Sequence, residues 1–202
     1  MPNPTISIII GTKGRPSLAA AILSVAPQID ENDEILIITE GERQIVLDIV
    51  TSFKSLGINI KYIIGPTTSA WGYPQRTLGF ELATKDRIVI LNDDDKLEVG
   101  AIKAIKKIVQ DHPTDLIIGW LRDARDGAIV GNKYLLEEGH LADTMLILPN
   151  DKTKIGQYNL KDERDIIFAL STLKYYPQGP VWLEQVIYEW NTYSARNDKV
   201  PK

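Results

Sequence analysis

The sequence has no cysteine, only two histidines and two methionines, and no basic excess: 23 lysines and arginines stand against 27 aspartates and glutamates, a formal charge of −4. Without cysteine there are no disulfides and no thiolate metal sites, so a bound ion has to rely on oxygen or on scarce imidazole. The missing basic field leaves nothing to draw a polyanion to the surface, and nucleic acid is not expected as a partner. Long apolar runs are absent too. The run from Ile6 to Ile10 falls far short of membrane-spanning length, and "MPNPTISIII" lacks the basic start and small-residue cleavage site of a secretion signal. The expectation is a cytoplasmic protein with no transmembrane segment.

What is present is a chain of 202 residues, 44% hydrophobic, enough for one domain with a substantial core. Four short β-branched runs, "TISIII" (5–10), "EILIIT" (34–39), "INIKYII" (58–64) and "RIVIL" (87–91), read as strands apolar on both faces and therefore central. Between them lie helical patterns. One follows Pro16 with Leu18, Ile22 and Val25 on a face, one places Ile45, Ile49, Phe53 and Leu56 at helical spacing, and one spans Pro74 to Thr84. A fourth carries Ile102, Ile105, Ile108 and Val109 and stops before Pro113. Alternating β and α elements predict an α/β fold with right-handed crossovers and a mostly parallel, Rossmann-like central sheet flanked by helices.

Beyond Trp120 the pattern changes. "RDARDGAIV" reads as a turn or hairpin, "DTMLILP" as a strand, "PNDKTKIGQYN" as an exposed loop, "DERDIIFALSTL" as a helix and "VWLEQVIYEWNTY" as a late strand. There is no internal repeat. The expected organisation is one domain over 1–195, with halves at 1–110 and 111–195 and a polar tail at 196–202.

The run "RIVILNDDDKLEVG" crowds Asp93, Asp94 and Asp95 where a buried strand ends. In open α/β sheets ligands bind beyond the carboxyl ends of the strands, so the position suits a site. Adjacent carboxylates on a tight loop repel one another unless a cation sits between them. Mg2+ or Mn2+, held by one or two carboxylates and completed by substrate phosphates, answers that need. The plainer alternative is a solvated turn whose Asp95 caps a helix beginning near Leu97. "GTKGRPS" (11–17) can face an anion with backbone N–H groups and Lys13 or Arg15, or be an ordinary strand-to-helix turn. In "TEGER" (39–43), Glu40 suits a base or ribose as well as it suits a helix N-terminus.

These segments occur in an order that resembles family-2, GT-A-fold glycosyltransferases. "PTISIIIGTKGRPSLAAAILSVAPQ" is similar to that family's opening strand, Thr-containing loop and helix, and "ATKDRIVILNDDDKLEVGAI" to its strand, Asp-x-Asp motif and following helix. The resemblance implies that Thr12 and Glu40 line a nucleobase and ribose pocket, Glu40 standing where Asp is usual. "YPQRTLG" looks like the Ala-Arg-Asn-x-Gly segment, which places Arg76 near the donor diphosphate, with Lys13, Arg15 and Asp93 as further donor-binding residues. The Asp-x-Asp register is either 92–94 or 93–95; Asp94 belongs to both and is the first choice of metal ligand, followed by Asp93 and Asp95. "DERDIIFAL" resembles the segment carrying the base of inverting members, with the acids exchanged: Asp162 and Glu163 stand where Glu and Asp are usual, and Glu163 is the candidate base. The alternative reading makes Asp162, Glu163 and Asp165 first-turn helix acids. The family's late Arg-x-His is replaced by Trp190, Asn191 and Tyr193. Trp71 is a candidate for stacking on a ligand, while Trp120, Trp182 and Trp190 read as core or interface.

The implied activity is metal-dependent, inverting transfer from a nucleoside-diphosphate sugar, UDP-sugar favoured, to a hydroxyl of a glycan or similar acceptor. A homo-oligomer or a partner subunit would complete the acceptor side. A sugar-phosphate nucleotidyltransferase is the second enzyme reading, although "GTKGR" is a poor version of its glycine-rich loop. A degenerate member that binds nucleotide sugar without turnover is the third.

Overall fold

A computed structural model of the chain describes residues 3–67, 72–159 and 164–190. The first half alternates as the pattern predicts: β1 (Ile6–Thr12), α1 (Leu18–Val25), β2 (Glu34–Glu40), α2 (Gln44–Ser55), β3 (Ile60–Gly65), α3 (Tyr73–Leu82) and β4 (Arg87–Asn92). A two-residue strand, β5 (Lys96–Leu97), precedes α4 (Ala101–Asp111). The second half adds β6 (Ile117–Asp123), β7 (Ile129–Val130), β8 (Leu146–Pro149), α5 (Asp165–Leu173) and β9 (Val181–Trp190).

Among the described residues nine strands join one sheet, in the order β3-β2-β1-β4-β8-β6-β9-β5, with β7 hairpinned onto β6. The first four are parallel, β1 lying between β2 and β4 with Ile8 opposite Ile35 and Val89. Consecutive residues Ile8, Ile9 and Ile10 are all fully buried, which requires cover on both faces of the sheet and accounts for their unbroken β-branched run. β8 enters antiparallel to both β4 and β6, and β9 runs parallel to β6. The carboxyl ends of β1, β2 and β4 therefore open on one edge, and β9 returns along β5 to pair Tyr188 with Leu97.

Two expectations need correction. The buried stripe of α2 is Val46, Val50 and Phe53, while Ile45 is partly exposed and Leu56 is 73% exposed. Both stripes have helical spacing, and Gly57, at φ +82°, turns the chain away just after Leu56. No helix starts near Leu97: α4 begins at Ala101 after Gly100, whose N–H donates to Gln28 Oε1 at 2.9 Å, so Asp95 is not its cap. The 149–159 segment is a surface loop but an anchored one, because Tyr158 stacks on Tyr73 and Phe168. Among the described residues no helix is long and apolar enough to cross a membrane. The 196–202 tail lies outside them.

Candidate functional site

A cleft of about 440 Å3 opens at the carboxyl ends of β1, β2 and β4, bounded by α3 and by the starts of α5 and the end of β9. It gathers Thr12, Lys13, Arg15, Glu40, Arg76, Asp93 and Asp94, seven of the sequence-derived candidates, from four separate elements and their loops. Asp95 does not line it.

The three aspartates are held differently. Asp93 Oδ2 accepts from the Thr12 hydroxyl at 2.6 Å, and its Oδ1 accepts from Arg15 Nη1 at 2.9 Å. The Thr12 hydroxyl in turn accepts from the Gly14 N–H, which fixes the loop leaving β1. Asp94 Oδ2 lies 2.9 Å from the same Arg15 nitrogen. Burial, and after it the neighbouring charges of Asp93 and Asp95, push the Asp94 carboxyl up to about 6 despite Arg15. Asp95 turns inward, where its Oδ2 accepts from the Tyr188 hydroxyl at 2.7 Å and from Asn92 Nδ2 at 2.8 Å.

Arg76 is largely buried, in the cleft floor. Its Nη1 donates to Asp143 Oδ2 at 2.6 Å and its Nη2 to Asn92 Oδ1 at 2.5 Å, with Asp165 Oδ1 at 3.5 Å from Nη1. Tyr158 donates to the same Asp143 oxygen at 2.5 Å, and Tyr73 donates to Asp165 at 3.0 Å. Asp143 is fully buried, and desolvation outweighs the arginine, so its carboxyl titrates above the usual range while the facing acids keep Arg76 charged. Arg76 thereby ties β4 to the turn before β8 and to the start of α5.

Lys13 Nζ pairs with Glu40 Oε2 at 3.4 Å across the ends of β1 and β2. Gln75, which the sequence reading passed over, lines the cleft and donates from Nε2 to the Pro66 carbonyl at 2.6 Å. Trp190, read as core or interface, instead lies 41% exposed on the cleft wall with the Arg125 guanidinium 5.1 Å from its ring centroid. Asp143, Tyr158 and Tyr188 were also missed: nothing local marks an acid, a loop tyrosine or a strand tyrosine as partners of residues tens of positions away. Asp162, Glu163, Trp71, Asn191 and Tyr193 lie outside the described residues. His112 bonds to Asp115 at 3.1 Å, and neither it nor His140 lines the cleft.

Among the described residues no group of three or more His, Asp or Glu side chains is placed to hold an ion unaided. The cleft mouth nevertheless carries two carboxylates, Asp93 and Asp94, against one guanidinium nitrogen. An all-oxygen donor pair with excess negative charge fits Mg2+ or Mn2+, with phosphate and water needed to complete the ion's shell.

The family model described as glycosyl transferase family 2 matches residues 7–171, from β1 into α5. Among solved structures, S. aureus TarS superposes with a TM-score of 0.75 at 14% identity, covering 92% of this chain and 36% of that one. TarS 1-349 in complex with UDP-GlcNAc gives 0.74 at 16% identity, covering 92% and 58%. TarS 1-349 in complex with UDP gives 0.74 at 15%, covering 92% and 60%. The chain thus spans less than two thirds of the length of these TarS structures. No curated protein matches it.

Proposed function

The chain belongs to glycosyl transferase family 2, and on that premise we propose that it moves a glycosyl residue from a nucleoside-diphosphate sugar, a UDP-sugar by preference, to a hydroxyl of a glycan or similar acceptor. The observation that carries the proposal is the convergence of Thr12, Arg15, Asp93 and Asp94 at the mouth of one cleft. The fold shared with TarS 1-349, solved with UDP and with UDP-GlcNAc, supports the choice of donor.

Thr12 and Glu40 hold the nucleoside end, and Lys13 and Arg15 bring cations to the diphosphate. Asp94, with Asp93, would hold Mg2+ or Mn2+. When bound, that ion supplies positive charge to the departing diphosphate. Arg76, locked on Asp143 and Asn92, positions the strand end that carries these aspartates. Glu163, with Asp162 beside it, takes the proton from the acceptor hydroxyl as that oxygen attacks the anomeric carbon, a single displacement that inverts configuration. Asp165, two residues further on, opens α5 and lines the same cleft, which supports this role. The cysteine-free composition supports a cytoplasmic location, and a second copy or a partner subunit would complete the acceptor side.

Thermal unfolding in the presence of UDP, GDP, CMP and dTDP, with and without Mn2+, tests the reading. A ligand near a hundred times its Kd stabilises by about 2.7 kcal/mol, which for a chain of this size is a rise of roughly 5 °C or more. UDP with Mn2+ is expected to give the largest shift. If no nucleotide moves the transition even with metal, the transferase reading fails.

A further inference from the structure

The position of Arg15 has a consequence for how the cleft is loaded. A single nitrogen, Nη1, sits 2.9 Å from Asp93 Oδ1 and 2.9 Å from Asp94 Oδ2, bridging the two carboxylates proposed for the ion. The second oxygen of Asp93 is held from the other side by the Thr12 hydroxyl, so the carboxylate pair is oriented from the β1 loop. The Arg15 side chain is 23% exposed, the Asp94 side chain 20%, and both line the cleft.

We propose that Arg15 is an exchangeable counter-cation: in the ligand-free chain it occupies the place of the divalent ion between Asp93 and Asp94, and on loading it passes to the donor's diphosphate. The inference rests on the metal-assisted reading given above. Charge favours the exchange in both directions. One guanidinium leaves the two carboxylates half compensated, whereas a divalent ion matches them. A diphosphate offers the planar fork of arginine a partner at least as good as the carboxylates it leaves. The long stem of the side chain allows the head group to move while the loop stays fixed by the Gly14 N–H bond to Thr12.

Thermodynamic linkage then sets the order of affinities. Metal alone has to displace Arg15 with no anion to receive it. Nucleotide alone has to draw Arg15 away and leave Asp93 and Asp94 facing each other. Each ligand removes the obstacle to the other, so they bind with positive coupling through this one side chain, in addition to any direct contact between ion and phosphate. Arg15 is accordingly a positioning residue for the donor and a competitor of the ion.

Titration of free Mn2+ by electron paramagnetic resonance, near neutral pH, with and without UDP, reads both effects without requiring an acceptor or turnover. Arg15→Gln is expected to bind Mn2+ alone about tenfold more tightly than the native chain, within the usual range of such couplings, and UDP is expected to enhance its Mn2+ affinity by a smaller factor than it does the native chain's. Arg15→Met, which keeps the stem and lacks the charge, should behave like Arg15→Gln and decides the matter if the amide disturbs the loop. Arg15→Lys, which keeps the charge, should stay near native for Mn2+ alone. If the native chain takes up Mn2+ with UDP but the two uncharged variants bind Mn2+ alone no more tightly than it does, the exchange is refuted. If the native chain takes up no Mn2+ even with UDP, the metal-assisted reading itself has failed and the exchange falls with it.

Discussion

At the scale of single residues, the run Asp93-Asp94-Asp95 resolves into three environments: one aspartate clamped by Thr12 and Arg15, one at the cleft mouth, and one turned into the protein against Tyr188. Asp94 is the one whose titration should be visible. Its folded value of about 6 stands above the ordinary 3.8, so between those values the folded chain binds more protons than the unfolded one. The stability contributed by this group is complete below the lower value and is lost as pH rises through the upper one. Ion binding runs the other way, because the carboxylate has to be deprotonated. Mn2+ affinity measured from about pH 5 to about pH 7.5 should fall roughly tenfold per unit below the Asp94 transition, and Asp94→Asn should abolish that bend. A native profile with no bend near pH 6 contradicts the assignment. What turns Asp95 away from the cleft was not legible from the sequence. It depends on Tyr188 arriving 93 residues later to turn Asp95 inward.

At the scale of elements, α3 shows why a short segment carries so much of the site. Arg76 projects from it toward Asp143 and Asn92, and Gly79, one turn on, lets the helix lie close on the sheet. A Cβ at Gly79 would come within 2.5 Å of Ile9 Cγ2 and 3.0 Å of Ile38 Cδ1. Gly79→Ala should therefore destabilise the chain by about 1–2 kcal/mol in urea unfolding, the overpacking cost exceeding the gain in helix propensity. An unchanged or increased midpoint would show that α3 is free to shift. The existence and order of the elements were legible because hydrophobic period and Gly or Pro punctuation are local signals. The buried face of α2 was not, since Ile45, Val46, Ile49 and Val50 offer two overlapping stripes and only packing chooses between them. The link from Arg76 to Asp143 was equally hidden: it spans 67 residues and joins a helix to a turn that reads only as a strand start.

At the scale of the whole molecule, one sheet carries both halves of the site. The parallel strands bring Thr12, Glu40, Asp93 and Asp94 to one edge, and Arg76 joins them there from α3. The antiparallel insertion of β8 between β4 and β6 then brings Asp143 under Arg76, and β9 brings Trp190 to the cleft and Tyr188 behind it against Asp95. Those contributions had no local signature, because strand order beyond β4 is set by long-range pairing rather than by pattern. The central claim is that this cleft holds a nucleoside diphosphate and a divalent ion together. Crystals grown with UDP and Mn2+, measured for the anomalous scattering of manganese, test it most directly. The account predicts a manganese signal between Asp94 and the diphosphate, with Arg15 turned onto phosphate; UDP bound elsewhere, or a cleft holding UDP without manganese, would contradict it.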